Sequence, residues 1–107
     1  MATVKASGSQ LTVISTEHTL YTETTAGTYV LSLDLSELVN GDVLDVSINT
    51  KVGAGGTVRT LLRNTFSFKQ ADPIVQTIPV VSPHSVSFVI NQSAGVARNI
   101  AWEVTSL

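Results

Sequence analysis

The side chains that could carry chemistry are few in this chain and lie far apart. Only 13% of its 107 residues are charged, cysteine is absent, and His18 and His84 are the two histidines. A zinc site needs three or four convergent ligands, usually with one closely spaced pair. Neither histidine has another His or a Cys near it in sequence, and without cysteine no disulfide or thiolate chemistry is available. We therefore predict no metal site built on histidine.

A cluster of acidic residues offers the oxygen ligands that calcium prefers. Its members are Asp34, Glu37, Asp42 and Asp45. They do not follow the Asp-x-Asp-x-Asp-Gly spacing of a calcium loop, and Asp42 after Asn40-Gly41 is typical of a turn. We expect turn-forming or solvated carboxylates here and no bound metal.

The glycine-rich segment Gly53-Ala54-Gly55-Gly56 lies between two predicted strands. It lacks the Gly-Lys-Ser/Thr sequence and the following helix that hold a phosphate group. No serine stands in the sequence context of a nucleophile elbow. The sequence therefore predicts no catalytic residue, no cofactor and no enzyme activity.

The elements that position these side chains are predicted to be strands. Apolar and polar residues alternate through most of the chain, which is the period of half-buried antiparallel strands. Turn-forming residues divide the alternating runs. We predict about eight strands, near 2–6, 10–16, 18–24, 28–35, 42–52, 57–69, 74–78 and 85–91, with 99–106 as a candidate ninth.

One sheet of this width would leave apolar side chains in water, so two packed sheets follow. The predicted fold is all-β: an antiparallel, jelly-roll-like β-sandwich that forms a single domain over 1–107. At most one short helical turn is expected, at 36–40, with Leu38 and Val39 covering one end of the core.

The pair 42–52 and 57–69 is predicted to form a long hairpin closed by the glycine-rich segment. Two interpretations stay open: the hairpin projects as an arm, or it bends within the sandwich. Residues 46–71 contain four bases and no acid, whereas six of the eight acids lie between Glu17 and Asp45. This separation of basic from acidic residues along the chain could support head-to-tail contacts between copies. The candidate partner-binding residues are Lys51, Arg59, Arg63 and Lys69.

The net charge of −2 favours neither nucleic acid nor a membrane surface as a partner. The sequence contains no run of 18 apolar residues, so no transmembrane helix is predicted. The first five residues lack the basic and apolar regions of a signal peptide. We therefore expect synthesis in the cytoplasm of the producing cell.

The aromatic residues are divided by the same alternation. Phe66, Phe68, Phe88 and Trp102 fall at core positions, and Trp102 is expected to fill the core. Tyr21 and Tyr29 remain as candidate surface rings. Exposed rings in a groove would favour a carbohydrate-binding module.

Several turn and strand segments resemble a known group of small proteins. They are Thr16-Glu17-His18-Thr19-Leu20, Gly27-Thr28-Tyr29-Val30-Leu31, Gly41-Asp42-Val43-Leu44, Lys51-Val52, Gly55-Gly56-Thr57-Val58-Arg59, and Gln92-Ser93-Ala94-Gly95 with Arg98 and Trp102. Their order and spacing are similar to proteins of about this length encoded among the head and tail genes of tailed bacteriophages. The similarity covers most of the chain and contains no catalytic signature.

The resemblance implies a virion structural protein. The role it favours is a capsid decoration or cement protein on the outer surface of the head, which binds the major capsid protein and forms a dimer or trimer. Ala2–Ser9 and the 42–69 hairpin are expected to carry the intersubunit contacts, unless 2–9 is a frayed terminus. A minor tail, connector or fibre-associated protein is the alternative, and a carbohydrate- or host-binding β module is the second alternative.

Overall fold

The computed structural model describes residues 3–107, and its regular structure is β-strand. The nine strands are β1 (Thr3–Leu11), β2 (Glu17–Glu23), β3 (Gly27–Asp34), β4 (Val43–Thr50), β5 (Arg59–Ser67), β6 (Ile74–Gln76), β7 (Val80–Ser82), β8 (Val86–Ala94) and β9 (Asn99–Ser106). Across residues 3–107 there is no helix, and so none long and apolar enough to cross a membrane.

The strands pair as one long hairpin that is rolled over on itself. Around the connection at 51–58, β4 pairs with β5, β3 with β6 and β7, β2 with β8, and β1 with β9, all antiparallel. Two further pairings, β3 with β9 and β4 with β8, close the roll into two sheets. The sheet orders are β1-β9-β3-β6, with β7 also on β3, and β2-β8-β4-β5. This nested pairing is that of a jelly roll, and the predicted fold class is confirmed.

The core lies between the two sheets and comes from the alternating positions of the central strands. Its fully buried members include Leu31 and Leu33 of β3, Leu44 and Ile48 of β4, and Phe88 of β8. Most of their neighbours in sequence are polar or half-buried on the outer faces, although Val30 and Val89 are also buried. The period of two therefore predicted correctly which face of each central strand is buried.

The prediction for the first two strands is wrong. Residues 3–11 form one continuous strand, so the expected break near Ser7-Gly8-Ser9 and the strand at 10–16 do not exist. Gly8 stays in the strand because it pairs with Trp102, whose ring would lie 3.5 Å from an added Cβ. Ala2, the first residue of the expected contact segment, lies outside the described residues.

The segment at 36–40 forms turns and no helical turn. The Asp34 carboxylate accepts a hydrogen bond from the Ser36 N–H at 3.0 Å, and this side-chain bond holds the chain in a turn. Leu38 is buried under the loop as expected, but Val39 is exposed. Of the two residues predicted to cover the end of the core, Leu38 does so and Val39 does not.

The antiparallel strands give the molecule two ends. The Asp42 end consists of the connections 12–16, 35–42, 68–73 and 95–98. The hairpin end consists of the connections 24–26, 51–58 and 83–85. Any surface that uses several loops must use one of these two ends.

Candidate partner-binding surfaces

The four predicted basic residues lie along one edge of the sandwich. They follow β5, the edge strand of the sheet β2-β8-β4-β5, with Lys51 and Arg59 at the hairpin end, Arg63 in mid-strand and Lys69 just past the Asp42 end. At about 3.3 Å per residue, the line from Arg59 to Lys69 is roughly 30 Å long. The structure thus brings the four cations to one edge but not into one compact patch. The 42–69 hairpin itself lies within the sheet, because β8 pairs with β4 along its length.

A bulge divides the two arginines between the faces of β5. Ile48 pairs with Leu62 and Asn49 pairs with Thr60, so Leu61 is the extra residue. Beyond Leu61, Arg59 pairs with Thr50. Thr50 lies two residues after the buried Ile48 and therefore on the same face of β4. Strict alternation along 57–69 would place Arg59 and Arg63 on one face, whereas the structure places them on opposite faces.

Arg63 belongs to a row of polar pairs on the outer face. The Arg63 Nε donates to the Ser47 hydroxyl at 3.2 Å, Thr65 donates to the Asp45 carboxylate at 2.6 Å, and Thr60 Oγ1 lies 2.9 Å from Asn49 Oδ1. These side chains are held by one another across the strand pair. The outer face is therefore polar, and several of its side chains are already hydrogen-bonded to one another.

Arg59 lines a groove at the hairpin end. The groove has a volume of about 350 Å³ and is lined by Thr50, Lys51, Val52, Thr57, Arg59, Thr60 and Leu61. The Lys51 ammonium donates to the Ala54 carbonyl at 3.0 Å, which keeps its charge beside the loop. Val52 is 92% exposed and Leu61 is 52% exposed. The groove thus combines two cations with uncovered apolar side chains.

The Asp42 end contains a buried ion pair that sequence reasoning missed. The Asp42 side chain is 2% exposed and accepts from the Arg98 Nε at 2.7 Å. Burial alone would raise the Asp42 pKa. The Val39 N–H, the Arg98 guanidinium and the Val96 N–H together outweigh burial and lower that pKa below its ordinary value. The sequence indicated only a turn residue at Asp42. No feature of the sequence around Arg98, 56 positions later, predicts that the two side chains pair.

A second buried network joins the same loops. Thr12 donates to the Gln92 side chain at 2.5 Å, and the Arg98 N–H donates back to Thr12 Oγ1 at 2.8 Å. The Gln92 amide donates to the carbonyls of Ala94 and Val96. Connections 12–16 and 95–98 are therefore fixed to one another by side chains that are fully or nearly buried.

The aromatic side chains differ from expectation at two positions. Tyr29 is buried, and its hydroxyl donates to the Thr25 carbonyl at 2.7 Å; burial raises its pKa. Phe68, expected in the core, is 52% exposed, because a φ of 67° reverses the alternation after β5. Tyr21 and Trp102 are half-buried and pack against the core. Trp102 also lines a groove of about 270 Å³, beside Ile74 and Glu103.

Within residues 3–107, no three His, Asp or Glu side chains come close enough to hold a metal ion. Three of the four acids of the sequence cluster have different partners: Asp42 pairs with Arg98, Asp45 with Thr65, and Asp34 with the Ser36 N–H. His18 Nε2 accepts a hydrogen bond from the Val13 N–H at 3.1 Å. These side chains therefore form hydrogen bonds that hold loops and strands in place.

Comparison with known proteins gives a likeness in fold. No family model matches the chain, and no curated protein matches its sequence. Among solved structures, VP2 of infectious bursal disease virus, crystallised as a subviral particle, is similar with a TM-score of 0.54 and 16% identity. The alignment covers 100% of this chain and 32% of the VP2 chain, so the chain spans about a third of that protein. At this identity the likeness shows a shared β-sandwich architecture.

Proposed function

We propose that the protein is a virion structural protein, and more narrowly a capsid decoration or cement protein that binds the major capsid protein on the outer surface of a tailed-phage head. The observation that carries the proposal is the jelly-roll strand order, aligned over its whole length with a protein that forms a subviral particle. The resemblance of the sequence segments to phage head and tail proteins points in the same direction.

The surface of the sandwich supports a role in protein contact. Its outer faces carry Ser, Thr and Asn in place of charged residues, and several are already hydrogen-bonded across strands. Such faces lose less hydration free energy when covered than charged faces do. Many identical copies on one shell would also allow each contact to be modest.

The contact with the capsid is assigned to the outer side of the β5 edge. Edge strands present unpaired backbone N–H and C=O groups to a neighbour. Arg63 lies at the centre of this edge and Lys69 at its end, where they suit an acidic surface. β1, the edge of the other sheet, supplies a second exposed strand for a neighbouring subunit.

The first experiment is to count copies of the protein in purified particles and to locate them by cryo-electron microscopy. A decoration protein gives hundreds of copies spread over the head. A few copies at one vertex or along the tail would replace this proposal with the minor tail or connector role. Absence from the particle would overturn both.

A pair of variants then tests the assigned surface. Arg63→Glu is expected to lower occupancy on particles stripped of the protein at least about tenfold at equal free protein. Arg59→Glu makes the same charge change on the opposite face of the same strand and is the matched control. Equal occupancy for Arg63→Glu and the unchanged protein would remove the β5 edge from the contact.

A further inference from the structure

The Asp42 end presents an apolar surface that the fold does not cover. Five large apolar side chains from its four connections are each between 37% and 64% exposed. They are Val13, Ile14, Val39, Phe68 and Val96. Apolar side chains gathered on one end of a small domain are a feature of contact surfaces.

Three of these side chains are positioned by a single residue. The Asp42 carboxylate accepts from the Val39 N–H at 3.0 Å and from the Val96 N–H at 3.2 Å, and the Asp42 carbonyl accepts from the Phe68 N–H at 2.8 Å. We call Val39, Phe68 and Val96 the apolar triad. The Gln70 amide also donates to the Phe68 carbonyl at 3.3 Å. The triad is thus pre-organised, which reduces the entropy lost on binding.

The charged side chains are divided between the two ends. The half nearer the Asp42 end holds six of the eight acids and two of the six bases, a formal charge of −4. They are Glu17, Asp34, Glu37, Asp42, Asp45, Lys69, Asp72 and Arg98. The half nearer the hairpin end holds Lys5, Glu23, Lys51 and Arg59, a formal charge of +2, while Arg63 and Glu103 lie in mid-strand.

This division decides which partner the apolar triad fits. Two Asp42 ends brought together would place like charges opposite one another, as would two hairpin ends. An Asp42 end facing a hairpin end opposes acids to Lys51 and Arg59. It also faces the triad toward the 350 Å³ groove, whose lining includes the exposed Val52 and Leu61. Charge and apolar surface favour the same arrangement.

We infer that copies of this chain associate head to tail, with Phe68 of one copy inserted into the groove beside Arg59 of the next. The interface is heterologous, because two different surfaces of the same chain meet. Repetition of such a contact forms an open chain, or a ring where the rotation closes. The inference concerns the isolated protein and stands or falls separately from the proposed place on a capsid.

Two variants each block one surface. Phe68→Asn removes the ring, and Asn tolerates the left-handed backbone at φ 67°. Arg59→Glu reverses the charge that lines the groove. Arg63→Glu, the same change on the other face of β5, is the control. Sedimentation velocity over a concentration series, at low and at high salt, measures association of each protein alone.

The unchanged protein and Arg63→Glu are expected to form oligomers that grow with concentration, and Phe68→Asn and Arg59→Glu to associate at least about tenfold more weakly. Salt is expected to weaken the association. Mixing the two interface variants restores one intact contact, between the Asp42 end of Arg59→Glu and the hairpin end of Phe68→Asn. The mixture therefore yields dimers and nothing larger.

Three results would overturn the inference: an unchanged protein that stays monomeric at millimolar concentration, a mixture that stays monomeric, or loss of association in Arg63→Glu alone. Each result is obtained without particles. Loss of capsid binding in Arg63→Glu, with self-association intact, would support the proposed function independently.

Discussion

Asp42 does more for this fold than any other ionisable residue described. Its carboxylate and carbonyl hold backbone groups from three connections, and Arg98 neutralises its charge. Removing one partner of a buried pair leaves the other charge unpaired, which costs more than the pair gains. The stability of the whole Asp42 end should therefore depend on this one side chain.

Acid should weaken the fold through Asp42. Its folded-state pKa lies below its ordinary value, so the unfolded chain binds protons more readily than the folded chain. The stabilising contribution is complete above about pH 4, the ordinary range for Asp, and is lost as pH falls through the lowered folded-state pKa. Denaturant melts from pH 7 to pH 2 measure this loss.

Asp42→Asn is the variant that tests this assignment. It is expected to lower the free energy of unfolding at pH 7 by about 3 kcal/mol, because Arg98 loses its carboxylate partner. The acid-dependent decrease should then be shallower than in the unchanged protein. An equally steep decrease in Asp42→Asn would assign the acid sensitivity to other carboxylates, such as Asp34 and Glu23, whose pKa values are also lowered.

Two glycines with nearly the same backbone conformation isolate a steric effect at this site. Gly41 has φ 100° with open space around an added Cβ, whereas Gly95 has φ 96° and its Cβ would collide with the Asp42 carboxylate. Gly41→Ala is expected to cost about 1 kcal/mol from backbone strain alone. Gly95→Ala should cost about 2 kcal/mol more, because it displaces the buried ion pair. Equal losses in thermal denaturation would contradict this.

At the scale of single elements, the alternation of core-facing and outward-facing side chains along β5 stops at the C-terminal end of the strand. Phe66 pairs with the buried Leu44 and packs against the core, while Phe68 lies beyond the positive φ and is exposed. Phe66→Ala is therefore expected to lower the free energy of unfolding by about 3 kcal/mol. Phe68→Ala should change it by less than about 1 kcal/mol. The two substitutions are chemically identical, so urea denaturation of both compares the two environments directly.

The contrast between Phe66 and Phe68 also shows how far sequence reasoning reached. Alternation predicted the buried faces of β3, β4, β8 and β9, because those strands pair on both sides and keep a regular pleat over their core positions, the irregularity of β8 falling at Ser93 near its end. It failed where the backbone leaves that pleat. A bulge at Leu61 moved Arg59 to the other face, and a positive φ moved Phe68 outward.

The candidate surfaces were less predictable than the strands. The four cations were identified by residue type, and their common edge follows from β5 being a terminal strand of its sheet. The apolar triad depends on contacts from Asp42 to residues on three separate connections. Such contacts between distant segments leave no periodic signal in the sequence, so only the folded chain reveals them.

At the scale of the whole molecule, the rolled hairpin brings both ends of the described chain together. Thr3 pairs with Ser106 at the hairpin end, and the connection 51–58 lies at the same end of the sandwich. The residues of that connection are largely exposed, whereas the connection at 35–42 is tied through Asp42 to two others, 68–73 and 95–98. The turn of the roll and its two ends are thus the parts least fixed by packing.

This geometry predicts that the chain tolerates circular permutation at its turn. Joining Leu107 to Met1 through a short glycine linker and opening the chain between Ala54 and Gly55 preserves all seven strand pairings and removes only the covalent connection between β4 and β5. The permutant is expected to fold with a melting temperature within about 5 °C of the parent. Opening the joined chain between Asn40 and Gly41 is the control, and it should lower the melting temperature by more than about 10 °C, because the ends then fray beside the Asp42 ion pair. A hairpin-end permutant less stable than this control would show that the 51–58 connection, and with it the groove beside Arg59, is held by interactions stronger than the exposed loop suggests.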